Sequence, residues 1–341
     1  MNHKILSLAS TLLLSAVLHP LAASATDLRV LTHGAFAVPK PLLTQFEADT
    51  GITLRITKTG DAGEMLNKLI LTKAEPVADV VFGIDNTLVG KAMAAQVLDV
   101  YKGAAATRAN KVALPGAVVP VDYGYVSINY DKAWFAKNKL ALPKTLDELT
   151  QARYAKLLAV QNPATSSTGN AFMLATIGAM GEEKAFGWWA RMRSNGLRVA
   201  KGWSEAYYTE FSQNGGAYPL VVSYATSPAA ELFYSKGKLT EPPTGSLMLP
   251  GAVFRQVEGV ALVKGGGNRA AAEKFIEFMR SPAVQQGLQT EMWMYPAEVG
   301  VAHAPALQLA PEPTTFDSPA AQDIANKGAG WVARWIKVVL K

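Results

Sequence analysis

The sequence contains no cysteine. This absence excludes disulfide bonds, thiolate metal sites and cysteine nucleophiles, and it also excludes a lipid anchor on an amino-terminal cysteine. Hydrophobic residues, by contrast, make up 49% of the chain, which is ample for a core.

Long hydrophobic runs are scarce, and the one at the amino terminus is too short to cross a membrane. Lys4 precedes an apolar run from Ile5 to Val17 that serine and threonine interrupt, whereas a spanning helix needs roughly 20 apolar residues. Ala23-Ser24-Ala25 closes the segment, as in a secretory signal peptide. We predict cleavage after Ala25, which lowers the formal net charge from +6 to +5 by removing one lysine. The mature chain is then expected to be free in the periplasm.

Clusters of positive charge are missing as well. The 33 lysines and arginines are spread along the chain and form no stripe that could track nucleic-acid phosphates. In the glycine cluster 265–267 the lysine, Lys264, comes before the glycines, whereas a phosphate loop needs one after them. The sequence therefore disfavours nucleic-acid and nucleotide binding, and we predict that the cluster is a strand-to-helix loop.

The chain does contain short apolar strand patterns that alternate with amphipathic helix patterns. Strands are predicted at 28–31, 79–82 and 220–222. Trp331, Trp335 and Val338 have the spacing of a final helix that packs on a lobe. The alternation predicts α/β lobes, and residues 26–341 suffice for two of them at ~100–200 residues per domain.

Helix starts are marked by capping signals. Thr145 with Glu148 and Asp61 with Glu64 are capping boxes, in which each side chain can satisfy a free N–H group of the first turn. Ser227 before Pro228 suits an N-cap followed by the first helical position.

Three polar or aromatic loops each precede a predicted helix, at 165–170, 201–208 and 223–228. Such loops supply ligand contacts in α/β sheets, because crevices form beyond the carboxyl ends of strands. The hydroxyls of 165–170 lie at the positive end of a helix, which suits a phosphate or carboxylate but equally an ordinary N-cap cluster.

Large aromatic residues lie in or near these loops, namely Trp203, Tyr224 and, later in the chain, Trp293. Aromatic faces that converge on one cleft bind a flat heterocycle by stacking and a cation by cation–π attraction, at roughly 0.5–2 kcal/mol per contact. Each of these residues taken alone is also compatible with a place in the core.

The sequence resembles the periplasmic thiamine-binding proteins of thiamine ABC uptake systems over nearly the whole mature chain. The resemblance rests on five stretches in the same order: Ala78–Asn86 (ADVVFGIDN), Pro120–Tyr125 (PVDYGY), Lys201–Tyr207 (KGWSEAY), Ser223–Pro228 (SYATSP) and Trp293–Pro296 (WMYP). It implies the type II periplasmic-binding-protein fold, in which two α/β lobes and a hinge enclose an interlobe ligand cleft.

The resemblance also implies ligand contacts. Asp61, with the neighbouring Ala62, would accept a hydrogen bond from the exocyclic amine of the aminopyrimidine. Ser166 and Ser167 would lie nearest the hydroxyethyl or phosphate end. The residues expected to flank the two rings or to form the remaining polar rim are Trp203, Tyr224, Trp293, Ala225, Thr226, Ser227 and Pro228.

One stretch departs from the family pattern. Relatives often have Tyr-Asp-Ser-Phe in the first strand-to-loop turn, where this chain has His33-Gly-Ala-Phe36. An aromatic and an acidic group are missing, and His33 is either their flat substitute or a solvated loop residue. A thiamine phosphate, a pyrimidine precursor or another heterocyclic cation therefore stays open as the ligand.

The family implies a domain organisation and a mechanism. Residues 1–25 form the signal peptide, 26–119 with 254–300 the first lobe, 120–253 the second lobe, and 301–341 a C-terminal helical segment. Crossovers near Pro120 and Phe254 would let the lobes of a monomer close over the ligand, and the permease and ATPase of an ABC importer would recognise the closed form. Because this is binding without bond chemistry, no catalytic residue, metal ligand or cofactor is assigned.

Two alternatives remain. A ferric-ion or anion-binding protein of the same superfamily is suggested by the adjacent Tyr207 and Tyr208, although neighbours on a helix point about 100° apart. A thiamine-processing enzyme on the same scaffold would use a cysteine nucleophile, which this chain lacks.

Overall fold

The computed structural model describes residues 26–341, and the predicted signal peptide lies outside the described residues. The strands are β1 Thr26–Thr32, β2 Ile52–Lys58, β3 Val80–Asp85, β4 Leu98–Asp99, β5 Val119–Asp131, β6 Leu158–Gln161, β7 Arg198–Ala200, β8 Leu220–Tyr224, β9 Thr244–Leu247, β10 Phe254–Val263 and β11 Tyr295–Pro296.

Helices separate most of these strands. They are α1 Lys40–Thr50, α2 Ala62–Leu71, α3 Val89–Ala95, α4 Ala104–Thr107, α5 Lys132–Asn138, α6 Leu146–Leu149, α7 Ala152–Ala155, α8 Ser167–Met180, α9 Glu182–Ser194, α10 Trp203–Glu205, α11 Ser227–Tyr234, α12 Arg269–Met279, α13 Pro282–Glu291 and α14 Ala321–Val339. A π-helical turn spans Ala206–Glu210, and 3-10 turns span Ser212–Asn214 and Pro305–Leu309. Between residues 26 and 341, no helix has both the length and the apolar character needed to cross a bilayer.

The strands form one sheet in which two parallel blocks are joined by two antiparallel strands. The order is β2-β1-β3-β10-β5-β8-β6-β7. In the first half β1 pairs in parallel with β2 and β3, and in the second half β6 pairs in parallel with β7 and β8. The long strands β10 and β5 run antiparallel to each other, and each also pairs with one block. This strand pair is therefore the structural connection between the two halves.

Each half has its own apolar core. Phe46, Phe82 and Phe275 pack together in the first half, because α1 and α12 bury their apolar faces on its sheet. Phe172 and Trp188 belong to a separate cluster in the second half, around the almost fully buried α8. Each half therefore buries its apolar surface in a core of its own, and this burial does not require contact between the halves.

The last helix, α14, contacts both halves. The Trp335 ring is fully buried, 5.3 Å from the ring of Trp189 on α9. Near the start of α14, Ala325 lies so close to α3 that a Cβ on Gly90 would come within 2.7 Å of the Ala325 Cα. The predicted final helix is confirmed, with Trp331 and Trp335 buried and Val338 half-buried.

Most of the predicted element positions are confirmed. The three predicted strands lie in β1, β3 and β8, and the glycine cluster 265–267 joins β10 to α12. Thr145 Oγ1 accepts from Glu148 N at 3.1 Å, although the Glu148 carboxylate accepts from Lys144 N instead of from Thr145 N. The Ser227 N-cap is wrong by one residue, since Thr226 is the N-cap of α11.

The boundaries of the lobes stay a prediction. Pro120 is the second residue of β5 and Phe254 is the first residue of β10, so both predicted crossover points lie at the start of a connecting strand.

We expect the Trp335→Ala substitution to lower the free energy of unfolding by about 3–5 kcal/mol, because it leaves a cavity in the core of the second half. Chemical denaturation of the mature protein measures this change. The exposed Lys337→Ala on the same helix serves as the control and should stay within about 0.5 kcal/mol of wild type. Equal effects of the two substitutions would show that α14 is not part of the core.

Candidate ligand-binding cleft

A cavity of about 630 Å³ lies between the two halves of the sheet. The first half contributes the loops that follow the carboxyl ends of β1 and β2, and the second half contributes the loops after β7 and β8. Loops at the carboxyl ends of parallel strands meet at one edge of a sheet, which explains why stretches distant in sequence converge here.

Eight of the twelve residues predicted as ligand contacts line this cavity: His33, Asp61, Ser167, Trp203, Tyr224, Thr226, Ser227 and Trp293. The other four, Ala62, Ser166, Ala225 and Pro228, are sequence neighbours of lining residues but are not among the residues that line it. The hydroxyl of Ser166 accepts from Gly169 N at 3.4 Å and so caps α8. Within 165–170, Ser166 is thus an ordinary N-cap, whereas Ser167 lines the cavity.

One wall of the cavity is built on Trp203. Its ring stacks on that of Tyr207 with centroids 5.1 Å apart and planes 16° from parallel, and its Nε1 donates to Ser223 Oγ at 2.9 Å. The π-helical turn Ala206–Glu210 places Tyr207 in this stack, in keeping with the frequent occurrence of such turns at functional sites. Sequence reasoning did not assign Tyr207 to the cleft, since no local pattern distinguishes a π turn from an α turn.

The opposite wall comes from the first half and is built on Trp293, which follows α13. Its backbone has φ 61°, in the left-handed region that closes many helix ends but that large side chains rarely adopt. Its Nε1 donates to the hydroxyl of Tyr234 on α11 at 3.2 Å, and that hydroxyl donates to Thr290 O at 3.0 Å. Aromatic residues from the two halves therefore meet at this side of the cavity.

Tyr234 was not predicted, but a sequence signal for it exists. Ser227, Ala230, Glu231 and Tyr234 all line the cavity, and they are spaced i, i+3, i+4 and i+7 along α11. Residues with this spacing share one helix face. Extending the Ser223–Pro228 motif along the helix would have found them.

Polar contacts bridge the two halves at the start of α2. Asp61 Oδ1 accepts from Ala62 N at 2.8 Å, while its Oδ2 accepts from Trp203 N in the other half at 2.9 Å. Glu64 N donates to Thr165 O at 3.2 Å, and the Glu64 carboxylate lies 2.7 Å from Lys201 Nζ. Asp61 is the N-cap of α2, as predicted, but its reciprocal capping box with Glu64 does not form, because loops of the second half supply the partners that the two residues would otherwise give each other.

Gln256 of β10 connects the two halves by binding Ser167 and Tyr224, two residues that line the floor of the cavity. Its Nε2 donates to Ser167 Oγ at 3.0 Å and also to Asp85, and its Oε1 accepts from Tyr224 OH at 2.7 Å. Burial raises the pKa of Asp85 to about 6, although Thr87 and Leu88 donate hydrogen bonds to it.

Acidic side chains lie at this floor together with His33. Glu258 lines the cavity and is 4% exposed, and its Oε1 lies 3.4 Å from His33 Nε2. Burial lowers the pKa of His33 to about 4, so the ring is neutral at neutral pH and this contact is not an ion pair there. His33 is thus a buried neutral ring in the cavity, not a solvated loop residue.

The arrangement does not resemble a metal centre. Among residues 26–341, no group of three or more histidine, aspartate or glutamate side chains is placed to hold a metal ion. The Tyr207 hydroxyl donates to Glu231, and Tyr208 is 60% exposed with its ring edge-on to that of Tyr207. Aromatic walls over an acidic floor instead suit a flat cation.

Comparisons with known proteins agree with this geometry. Residues 75–327 match the family model described as "Bacterial extracellular solute-binding protein". The thiamine-binding periplasmic protein of Salmonella typhimurium is 32% identical over 92% of this chain and 93% of that protein, and the one of Brucella melitensis is 29% identical over 98% of each.

Solved structures of other periplasmic binding proteins are similar to this one. A periplasmic thiamin binding protein superposes with a TM-score of 0.80 at 30% identity, over 92% of this chain and 96% of that one. A ferric binding protein from Campylobacter jejuni has a TM-score of 0.72 at 19% identity, over 91% of this chain and 99% of that one, which shows a shared fold alone. The fold is thus the two-lobed α/β periplasmic-binding-protein fold predicted from the sequence. The chain belongs to the bacterial extracellular solute-binding proteins.

Proposed function

We propose that this protein captures thiamine, or one of its phosphates, in the periplasm and delivers it to the permease and ATPase of an ABC importer. The observation that supports this most directly is the cleft itself, in which Trp203 and Trp293 stand on opposite halves and Asp61 and Glu258 lie with them. Relatives of about 30% identity over nearly the full chain are thiamine-binding periplasmic proteins.

The chemistry of the ligand fits this cleft. Thiamine has a permanently charged thiazolium ring and a flat aminopyrimidine, which aromatic walls bind by cation–π attraction and stacking. Each oxygen of Asp61 accepts one backbone N–H bond and keeps a lone pair that can accept from the exocyclic amine. The proposed contacts with the hydroxyethyl or phosphate end are Ser167 and the rim at Thr226 and Ser227.

Binding is coupled to closure in this proposal. Residues 26–119 with 254–300 move against residues 120–253, and the bonds of Asp61 and Glu64 to the second half form only in the closed state. A ligand that contacts both lobes stabilises that state, which the importer then recognises. Since the family consists of solute-binding proteins, no catalytic step is part of the function.

The ferric alternative has less support. The iron-binding structures share the fold at 18–20% identity, whereas the thiamine-binding relatives of Salmonella typhimurium and Brucella melitensis are 32% and 29% identical. The iron alternative depended on the pair Tyr207–Tyr208. In this structure the Tyr207 hydroxyl donates to Glu231, and the Tyr207 ring stacks on that of Trp203.

We expect thiamine to raise the melting temperature of the mature protein, because a ligand at about 100 times its Kd adds roughly 2.7 kcal/mol to stability. Trp203→Ala and Asp61→Ala should each weaken binding at least about tenfold, as the loss of a 1.4 kcal/mol contact requires. Titration calorimetry with thiamine, its mono- and diphosphate, the free pyrimidine and ferric citrate ranks the ligands.

Two controls make this test specific. Trp203→Phe keeps an aromatic face and should bind better than Trp203→Ala, while Trp134→Ala, which is not among the cavity-lining residues, should bind as wild type does. A response to ferric citrate without any response to thiazolium compounds would refute the thiamine assignment and leave the fold intact.

Gly63 provides a test of closure. A Cβ at this position would lie 2.7 Å from the carbonyl of Thr165 in the other half, so Gly63→Ala obstructs the closed state. We expect at least about tenfold weaker thiamine binding and a more extended ligand-bound particle in X-ray scattering. Unfolding stability should not fall, since alanine is favoured over glycine in a helix.

The matched control is Gly330→Ala on α14, where an added Cβ meets no atom within 4 Å. Equal affinities of the two variants for thiamine would contradict the proposal that Gly63 must approach Thr165 closely when the ligand binds.

A further inference from the structure

Glu258, which lines the cavity, forms with Asp122 a pair of buried carboxyl groups whose role the ligand contacts above do not explain. Glu258 of β10 and Asp122 of β5 are directly opposite each other in the antiparallel pair that joins the two halves. Glu258 is 4% exposed and Asp122 is 0% exposed. Within residues 26–341, neither oxygen of Asp122 accepts from an N–H or hydroxyl donor. A protonated Glu258 carboxyl can donate to one of these two oxygens.

Within residues 26–341, neither carboxyl of this pair forms an ion pair with a lysine or arginine; the one basic group in contact is His33, 3.4 Å from Glu258. The other titratable groups near the pair are Lys58, Asp61, Asp85 and Tyr224. His33 is neutral above a pKa of about 4, and Lys58 keeps its charge but donates from Nζ to Phe36 O at 2.6 Å, not to either carboxyl. The other groups are acids, so they add negative charge or none.

Two adjacent buried carboxyl groups cannot both ionise readily, because each charge loses its hydration and repels the other. Burial, followed by the charges of Asp122, Asp85 and Asp61, holds the pKa of Glu258 well above its usual range. Burial does the same for Asp122, although the hydrogen bond with Glu258 opposes it. Such a pair titrates as a unit and retains one proton over a wide pH range.

We propose that Glu258 and Asp122 share one proton before the ligand binds, and that a fixed cation seated against Glu258 displaces this proton into solvent. This inference rests on the proposed function and identifies the pair as the element that recognises the charge of the thiazolium. The O–H bond of the pair breaks, both carboxylates become ionised, and the organic cation replaces the proton, so the net charge of the site is unchanged.

The exchange determines specificity. A neutral molecule of the same shape cannot compensate two carboxylates, so it binds to the protonated pair without charge attraction. Only a ligand whose positive charge is permanent replaces the proton over the whole pH range.

The exchange also fixes the sign of the pH dependence. The cation lowers the pKa of the pair, so the bound protein holds fewer protons than the free protein. Affinity for thiamine therefore rises with pH, by up to about tenfold per unit between the bound and free pKa values. His33 does not contribute to this slope above about pH 5, because its pKa lies near 4 in the folded protein.

Titration calorimetry of thiamine in buffers of different ionisation enthalpy measures the protons released near neutral pH. We expect about one proton per ligand for wild type and none for an analogue in which a neutral thiophene replaces the thiazolium. Glu258→Gln should abolish the release and flatten the pH dependence of Kd between about pH 5.5 and 8.5. Asp122→Asn should do the same and serves if Glu258→Gln does not fold.

Two comparisons identify the source of the proton. Glu273→Gln on α12, whose half-buried side chain pairs with Arg269 and is not among the cavity-lining residues, is the control and should release as much as wild type. Asp85, whose pKa is about 6, is the competing source of the proton. If thiamine still releases a proton from both Glu258→Gln and Asp122→Asn, the proton comes from Asp85 and the proposal is overturned.

A measurement without ligand separates this inference from the proposed function. Infrared difference spectra of wild type and Glu258→Gln should show the carbonyl band of a protonated carboxyl group at neutral pH in wild type alone. Absence of that band overturns the shared proton whether or not thiamine binds. Thiamine binding without proton release overturns the displacement and leaves the proposed function standing. A protein that shows the band but does not bind thiamine refutes the proposed function and the displacement with it.

Discussion

The structure depends on the antiparallel pairing of β5 and β10. This pairing is the connection between two parallel blocks that otherwise have separate cores. Glu258 of β10 lines the cleft, and Asp122 of β5 lies opposite it in the strand pair, so the connection between the halves also borders the cleft. Any movement of one half relative to the other thus changes the surroundings of the groups that face the ligand.

The contacts across the cleft are the polar bonds at the start of α2 and near Gln256, together with the aromatic contact of Trp293 with α11. Asp61 and Gln256 bind partners in the second half through hydrogen bonds, each worth about 0.5–1.5 kcal/mol net, and Glu64 forms a partly exposed ion pair with Lys201. In the proposed open state water replaces the polar partners, whereas exposing either apolar core would cost far more. The separate cores thus fit the proposed closure, in which the halves part without unfolding.

Sequence reasoning succeeded where the signal is local. Strand patterns such as 220–222, the final helix at Trp331 and Trp335, and loops that follow strands all depend on neighbouring residues, and the structure confirms them. The eight predicted contacts that line the cavity were implied mainly by the family resemblance; of these, Trp203, Tyr224 and Trp293 also stood out as aromatic residues in or near loops. The Asp61–Glu64 box failed because its partners, Trp203 and Thr165, are distant in sequence.

Most of the other residues that sequence reasoning missed also depend on features that a local sequence pattern does not carry. Asp122 and Glu258 lie within apolar strands, and nothing in either strand indicates that the two carboxyls are opposite each other; only the strand pairing does so. Tyr207 reaches the cavity through a π turn, a geometry that no residue pattern specifies. Tyr234 differs from these, since helical periodicity along α11 was sufficient to predict it.

The backbone of Trp293 has an evolutionary consequence. A residue other than glycine in the left-handed region costs roughly 1–2 kcal/mol, and glycine or asparagine would end α13 there with less strain. Selection for stability alone would favour such a replacement. A tryptophan that persists at this position among diverging descendants would therefore record selection for the wall of the cleft, and its loss would mark a lineage in which the ligand has changed.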